Sequence, residues 1–181
     1  MNYISTEEFL KQSKEVRDIF INWWQPEFGD LFIEDYWNID SIINVVGCVP
    51  INKKHFEDYD GNIHYKTDLV IPLLTEGQLR QFIEDKTGYT ITPEFEEYDS
   101  PFVNDTYYIH LFDSKRTHKV IRTYEIETSD LLKALWKAAC QIAQEEINNQ
   151  KQSIVSTNKQ GLPIIKGGGQ TMREMYDEEY R

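Results

Sequence analysis

The stretch Thr128-Ser-Asp-Leu-Leu-Lys-Ala-Leu-Trp-Lys-Ala-Ala-Cys-Gln-Ile-Ala-Gln-Glu-Glu-Ile147 most constrains what this chain can fold into. Leu132, Leu135, Trp136, Ala139, Ile142, Ala143 and Ile147 recur at steps of three and four, so a helix gathers them on one side and turns Lys133, Lys137, Gln141 and Gln144 away. Such a stripe must lie on another surface. Ala139 and Ala143 permit close backbone approach, Leu135 and Trp136 supply bulk, and the preceding residues alternate as strands do, so the support is a sheet.

Three extended segments precede that helix. Tyr89 to Tyr98 alternates around Ile91 and Phe95, and Tyr107-Tyr-Ile-His-Leu-Phe112 alternates throughout. Lys119 to Ile126 alternates either through Val120, Arg122 and Tyr124 or through Ile121 and Thr123. Asp99-Ser-Pro101 and Asp113-Ser-Lys-Arg116 carry turn chemistry, which makes the three an antiparallel meander. Before it, Thr75-Glu-Gly-Gln78 is a capping box that opens a helix carrying Leu79, Phe82 and Ile83, and Gly88 suits the left-handed position that ends one. The order helix, three strands, helix predicts an α+β fold: an antiparallel sheet with amphipathic helices packed on one face.

This run, Ile71-Pro-Leu-Leu-Thr-Glu-Gly-Gln-Leu-Arg-Gln-Phe-Ile-Glu-Asp-Lys-Thr-Gly88, then strands, then Leu132-x-x-Leu-Trp-x-Ala-Ala-Cys140, resembles small proteins of phages and prophages similar to the phage ABA-sandwich domain. The resemblance covers residues 68–147 and implies no catalytic residues. The N-terminal helix and strands and the C-terminal tail depart from that short pattern.

Toward the N-terminus, Ser5-Thr-Glu-Glu8 is a further capping box, predicting one helix with Phe9, Val16, Ile19, Phe20 and Trp23 on its apolar side until Gln25-Pro26 ends it. Of the pair Trp23-Trp24, one faces the core and the other faces outward. Phe28-Gly29-Asp30 reads as a turn, and Leu31–Ile33 and Ser41–Val49 as strands, the second buried. Residues 52–66 are polar and read as a solvent-side excursion with a hairpin turn at Asp60-Gly61. Its His55, Glu57, Asp58, Asp60 and His64 fit no metal-binding spacing, and no cofactor motif occurs in the chain.

Composition bounds the function. The net charge is −12, with 14 Lys/Arg against 27 Asp/Glu in residues 1–150 and 5 against 4 in residues 151–181. An acidic body repels phosphate backbones, which disfavours general nucleic-acid binding and suits a basic protein partner. No apolar run is long enough to span a bilayer, and the N-terminus lacks a signal peptide's basic start and apolar centre, so a cytoplasmic protein without a membrane partner is expected. Cys48 and Cys140 sit in apolar runs and read as buried thiols, not a disulfide framework.

Residues 1–150 read as one domain and 151–181 as a polar linker, a short apolar segment at Leu162–Ile165 and a helix from Met172 to Tyr180. The turn Lys166-Gly-Gly-Gly-Gln-Thr171 before that helix can hold a phosphate: Gly167, Gly168 and Gly169 let backbone N–H groups approach, while Lys166 and Thr171 add a charge and a hydroxyl. It lacks the order of a P-loop. A mobile hinge to a partner-binding tail is the competing reading.

Three functions follow as expectations. The first is a non-enzymatic phage accessory protein, acting in the infected bacterial cytoplasm, that binds and neutralises a host protein, plausibly one of antiviral defence. The second is a sponge for a nucleotide-derived signalling molecule, stacking its base on Trp24, Trp37 or Tyr176 and holding phosphate at Gly167–Gly169. The third is a phosphodiesterase using His110 and His118, which share a strand-pair face if Phe112 pairs with His118. A homodimer, with the tail docked on a neighbouring subunit, is a further expectation.

Overall fold

A computed structural model describes residues 2–34, 42–48, 55–67, 69–98, 104–113 and 119–159, with side chains as far as residue 152. It divides into two compact units, Met1–Ile147 and Asn148–Arg181. The first is an α+β unit with antiparallel sheets and helices packed against them.

The N-terminal region forms two helices where one was expected, α1 (Thr6–Leu10) and α2 (Lys14–Trp23). The chain breaks at Ser13, whose backbone is extended and whose hydroxyl accepts from the N–H of Val16 at 3.4 Å, as Ser5 accepts from Glu8 at 3.2 Å. A second N-cap therefore interrupts the apolar periodicity: of the expected apolar side Phe9, Val16 and Phe20 are buried, Ile19 and Trp23 are half-buried, and Ile21 joins the core in addition.

Strands β1 (Leu31–Glu34), β2 (Ile43–Cys48), β3 (His55–Asp58), β4 (Ile63–Tyr65) and β5 (Val70–Pro72) make a five-stranded antiparallel sheet in the order β4-β3-β2-β1-β5. Residues 55–65 thus correct the expectation of a solvent-side excursion. The hairpin turn is present, with Gly61 at φ +82°, but Phe56, Asp58 and His64 are buried. In β2 the expectation of burial fails for most of the strand, since only Val46 is fully enclosed while Ile43 and Cys48 are exposed. Gly47 has a specific reason to be glycine. A Cβ there would lie 2.6 Å from the carbonyl oxygen of Asp58, at the irregularity where β2 and β3 shift register.

Helix α3 (Glu76–Thr87) begins and ends as local chemistry dictates. Thr75 accepts from the N–H of Gln78 at 3.4 Å while the Gln78 side chain accepts from the N–H of Thr75 at 3.0 Å, and Gly88 closes the helix at φ +72°. The meander follows as β6 (Thr90–Glu96), β7 (Thr106–Phe112) and β8 (Val120–Glu127), a separate three-stranded sheet with β7 in the centre. Pro93, which has no N–H to donate, sits in the edge strand β6. The pairs Ile109↔Tyr124 and Tyr107↔Ile126 settle the two alternations open for β8: Tyr124 and Ile126 face inward with Ile109 and Leu111.

Helix α4 runs from Leu131 to Lys159, with Asp130 Oδ1 accepting from the N–H of Lys133 at 3.1 Å at its start. Leu135, Trp136, Ala139, Ile142, Ala143 and Ile147 are buried and Lys133, Lys137, Gln141 and Gln144 exposed, as the periodicity requires. The expected linker beginning at Lys151 is instead helical as far as Lys159, because no Gly or Pro interrupts it before Gly161. The helices meet around Phe20, whose ring lies 4.4 Å from that of Phe82 on α3 and 4.9 Å from that of Trp136 on α4. One hydrophobic cluster joins these helices to the inner faces of both sheets. Ion pairs brace its edge, Lys86 with Glu146 at 2.8 Å and Arg122 with Glu145.

Candidate functional site

The face of the β6-β7-β8 sheet opposite Ile109 and Tyr124 has exposed edge strands and a half-buried centre, with Thr106 buried at one end, and the register fixes what it displays. Residues two apart on a strand share a face, and paired residues stand side by side. Three cross-strand rows result: Thr92, His110 and Thr123; Glu94, Tyr108 and Glu125; Glu96, Thr106 and Glu127. Phe112 extends the central line. Two of the three rows therefore carry a glutamate on each edge strand, and no Lys or Arg stands in any of them. Carboxylates across a row are separated by about 10 Å at the backbone and successive rows by about 7 Å.

The aromatic centre is held by polar contacts. The rings of Tyr108 and His110 lie nearly parallel, with centroids 6.3 Å apart. His110 contacts Thr123 Oγ1 through Nδ1 at 2.8 Å and Glu94 Oε2 through Nε2 at 3.1 Å. Tyr98 joins the face with its hydroxyl 3.5 Å from that of Tyr108. A hydrogen bond to Glu96, then the one to Tyr108, pushes the Tyr98 phenol well above its ordinary pKa, so it stays neutral and donates to carboxylate.

His118 lies outside the described residues, and the register that would have aligned it with His110 is corrected. A shift between Leu111 and Phe112 pairs Phe112 with Val120 instead of residue 118. His110 pairs with Thr123.

The other sequence-predicted site residues separate. Trp24 is not an outward-facing base-stacking residue: it is 1% exposed, its ring packs edge-on against Phe56 at 5.6 Å, and its indole N–H donates to Asp30 at 3.0 Å. The partly exposed member of the pair is Trp23. Trp37, Lys166, Gly167, Gly168, Gly169, Thr171 and Tyr176 lie outside the described residues.

Comparison with protein families, with curated proteins and with solved structures finds no match for the chain.

A second polar cluster takes Asp58 and His64 from the polar stretch 52–66 and adds Glu34, which sequence spacing does not bring to them. Glu34, Asp58 and His64 meet on the core side of the five-stranded sheet, with His64 Nδ1 2.7 Å from Glu34 and Nε2 3.0 Å from Asp58. Carboxylates only accept, so the imidazolium, with a proton on each ring nitrogen, is the form of His64 that satisfies both contacts. It lies between Phe32 and Phe56, at centroid distances of 4.8 and 5.6 Å. Burial alone would depress the His64 pKa; the hydrogen bonds to Glu34 and Asp58 outweigh it and leave the value raised. For Asp58 burial acts upward, yet donors from Asn62, His64 and the backbone of Asn62 and Asp60 hold the carboxyl well below its usual range. His64 ties Glu34 of β1 to Asp58 of β3, and Asp58 also accepts from Asp60 and Asn62 in the turn, so the group clamps the β3–β4 hairpin. Among the described residues no group of three or more His, Cys, Asp and Glu is arranged to hold a metal ion.

The cysteines also differ from expectation. Cys48 is exposed, whereas Cys140 is partly buried on α4 and burial pushes its thiol pKa up. Among the described residues no helix is long and apolar enough to cross a membrane.

Proposed function

We propose that this chain is a non-enzymatic binding protein, a phage or prophage accessory factor that occupies a basic surface of a host protein and blocks it, with antiviral defence as the class of target. The observation that carries this reading is the outer face of β6-β7-β8, where Glu94, Glu96, Glu125 and Glu127 flank Tyr108 and His110 with no cation in the paired rows. Aromatic residues supply contact area at low entropic cost, and the surrounding carboxylates select a partner of opposite charge and speed its approach. The net charge of −12 acts in the same direction at long range. Both nitrogens of His110 are already engaged, which argues against its service as a general base and so against phosphodiester chemistry.

The test is a pull-down from bacterial lysate with the wild-type protein and the double variant Glu94→Lys/Glu125→Lys. A host protein held by the wild type at low salt, released at roughly 0.5 M where screening is strong, and not held by the variant supports the proposal. Equal retention by both proteins, or none by either, removes it.

A further inference from the structure

Two hollows stand away from the docking face. The larger, about 380 Å³, lies between the N-terminal residues and the start of α4 and includes Lys133 beside Glu8 and Asp130, so its wall already mixes both charges. The smaller, about 290 Å³, lies between the end of α2, the following turn and α3. Its wall includes three carboxylates, Glu27, Asp30 and Asp85, and no Lys, Arg or His.

The chain builds this wall deliberately in the sense that each part has a fixed holder. Gln78, Gln81 and Asp85 stand three and four residues apart and so share one face of α3. The Trp23 indole N–H donates to Asp85 at 3.0 Å, and the ring is itself held edge-on against Phe82 at 5.2 Å. Asp30 accepts from Trp24, from the Glu27 N–H and from Gln78, each at 3.0 Å. All of these donors are neutral. Burial consequently outweighs them and raises the Asp30 pKa, the response of a carboxylate whose charge is not fully compensated. Lys66 is close but directed elsewhere, donating to the carbonyls of Asn22 and Trp24.

We infer that this hollow is a recognition pocket for a guanidinium group. A guanidinium is planar, presents N–H groups in a fork that matches carboxylates and amide oxygens, and stacks on an indole face. Asp85 and Glu27 are the exposed carboxylates at the mouth, Asp30 is the deeper one, and Trp23 offers the partly exposed ring. The volume lies at the lower end of small-molecule sites, roughly 300 to 1,000 Å³, which suits an arginine-like head and not a nucleotide. The pocket uses none of the residues of the sheet face, so the inference stands or falls apart from the docking proposal.

The experiment follows the indole N–H resonances of Trp23 and Trp24 in ¹⁵N-labelled full-length protein, with that of Trp136 as internal reference. The probes are agmatine, N-acetyl-arginine amide and the neutral isostere N-acetyl-citrulline amide, each taken to about 10 mM, enough to detect a millimolar site. Saturable shifts of both indoles with either cation, absent with the citrulline compound and weakened at least tenfold in Glu27→Gln/Asp85→Asn, are the expected result. Tighter binding of agmatine identifies a free small guanidinium compound as the source, and equal or tighter binding of the arginine amide identifies a partner's side chain. No saturation with either cation, equal response to citrulline, or undiminished binding by a folded variant overturns the inference.

Discussion

Replacing His64 with Phe keeps an aromatic ring between Phe32 and Phe56 and removes only the positive charge and its two donors. Asp58 would retain Asn62 and the N–H groups of Asp60 and Asn62, all between 2.8 and 2.9 Å. Glu34 would lose its 2.7 Å partner while its side chain is only 18% exposed. Breaking a buried pair by deleting one member costs about 3–5 kcal/mol, because the remaining charge is left desolvated. Partial access of water to Glu34 and the donors remaining on Asp58 place this case at the lower end, about 3 kcal/mol. Urea unfolding at pH 6 measures it: the midpoint should fall with an unchanged slope. The sign of the pH effect follows from the raised pKa of His64. Its stabilisation is fully present below the ordinary value of 6.5 and is lost as pH rises through the higher folded value. The gap between wild type and His64→Phe should therefore narrow in alkaline buffer. A loss under about 1 kcal/mol at pH 6, or a gap that does not narrow on raising the pH, would refute the assignment of an imidazolium clamp.

Other perturbations have equally specific outcomes. Gly47→Ala should cost about 1–3 kcal/mol, since its Cβ would press on the Asp58 backbone; an unchanged unfolding midpoint would contradict that packing. Thr75→Ala removes one arm of the capping box and should cost about 1 kcal/mol in the same assay, with Thr75→Ser recovering most of it. A thiol reagent should label Cys48 in the folded protein and Cys140 only upon unfolding; equal rates, read by mass spectrometry, would reverse their burial. On the acid side Asp58 has a lowered pKa, so its contribution holds above its ordinary value of 3.8 and fades as pH falls below it; thermal midpoints should drop there, and Asp58→Asn should flatten the drop.

What was legible in the sequence shares one property: its cause is local. Thr75 and Gln78 make their capping box within four residues, Gly88 supplies the left-handed conformation at a single position, and the period-two pattern of β6 to β8 is intrinsic to each strand. The stripe from Leu132 to Ile147 was equally plain because helical periodicity repeats through it. The remainder depends on what lies far away in the chain. Glu34 and His64 are separated by thirty residues, so their contact follows from a five-stranded order that no short pattern encodes. Phe112 reaches Val120 through a register shift, which alternation alone does not place. Cys48 looked like core because its neighbours are apolar, yet an end-of-strand position exposes it. The acidic face did carry a signal: Glu94 with Glu96, and Glu125 with Glu127, each two apart on a strand. Its meaning emerged only when the register set the two pairs on one face on either side of Tyr108.

The most direct measurement of the central claim is carboxylate footprinting of the complex formed with the partner recovered by pull-down. A water-soluble carbodiimide and an amine label exposed glutamates, and mass spectrometry reads each site with and without partner. The account predicts that Glu94, Glu96 and Glu125 become protected while Glu7 and Glu76, on α1 and α3, keep their labelling. Protection confined to other glutamates, with those three labelled as in the unbound protein, would contradict it.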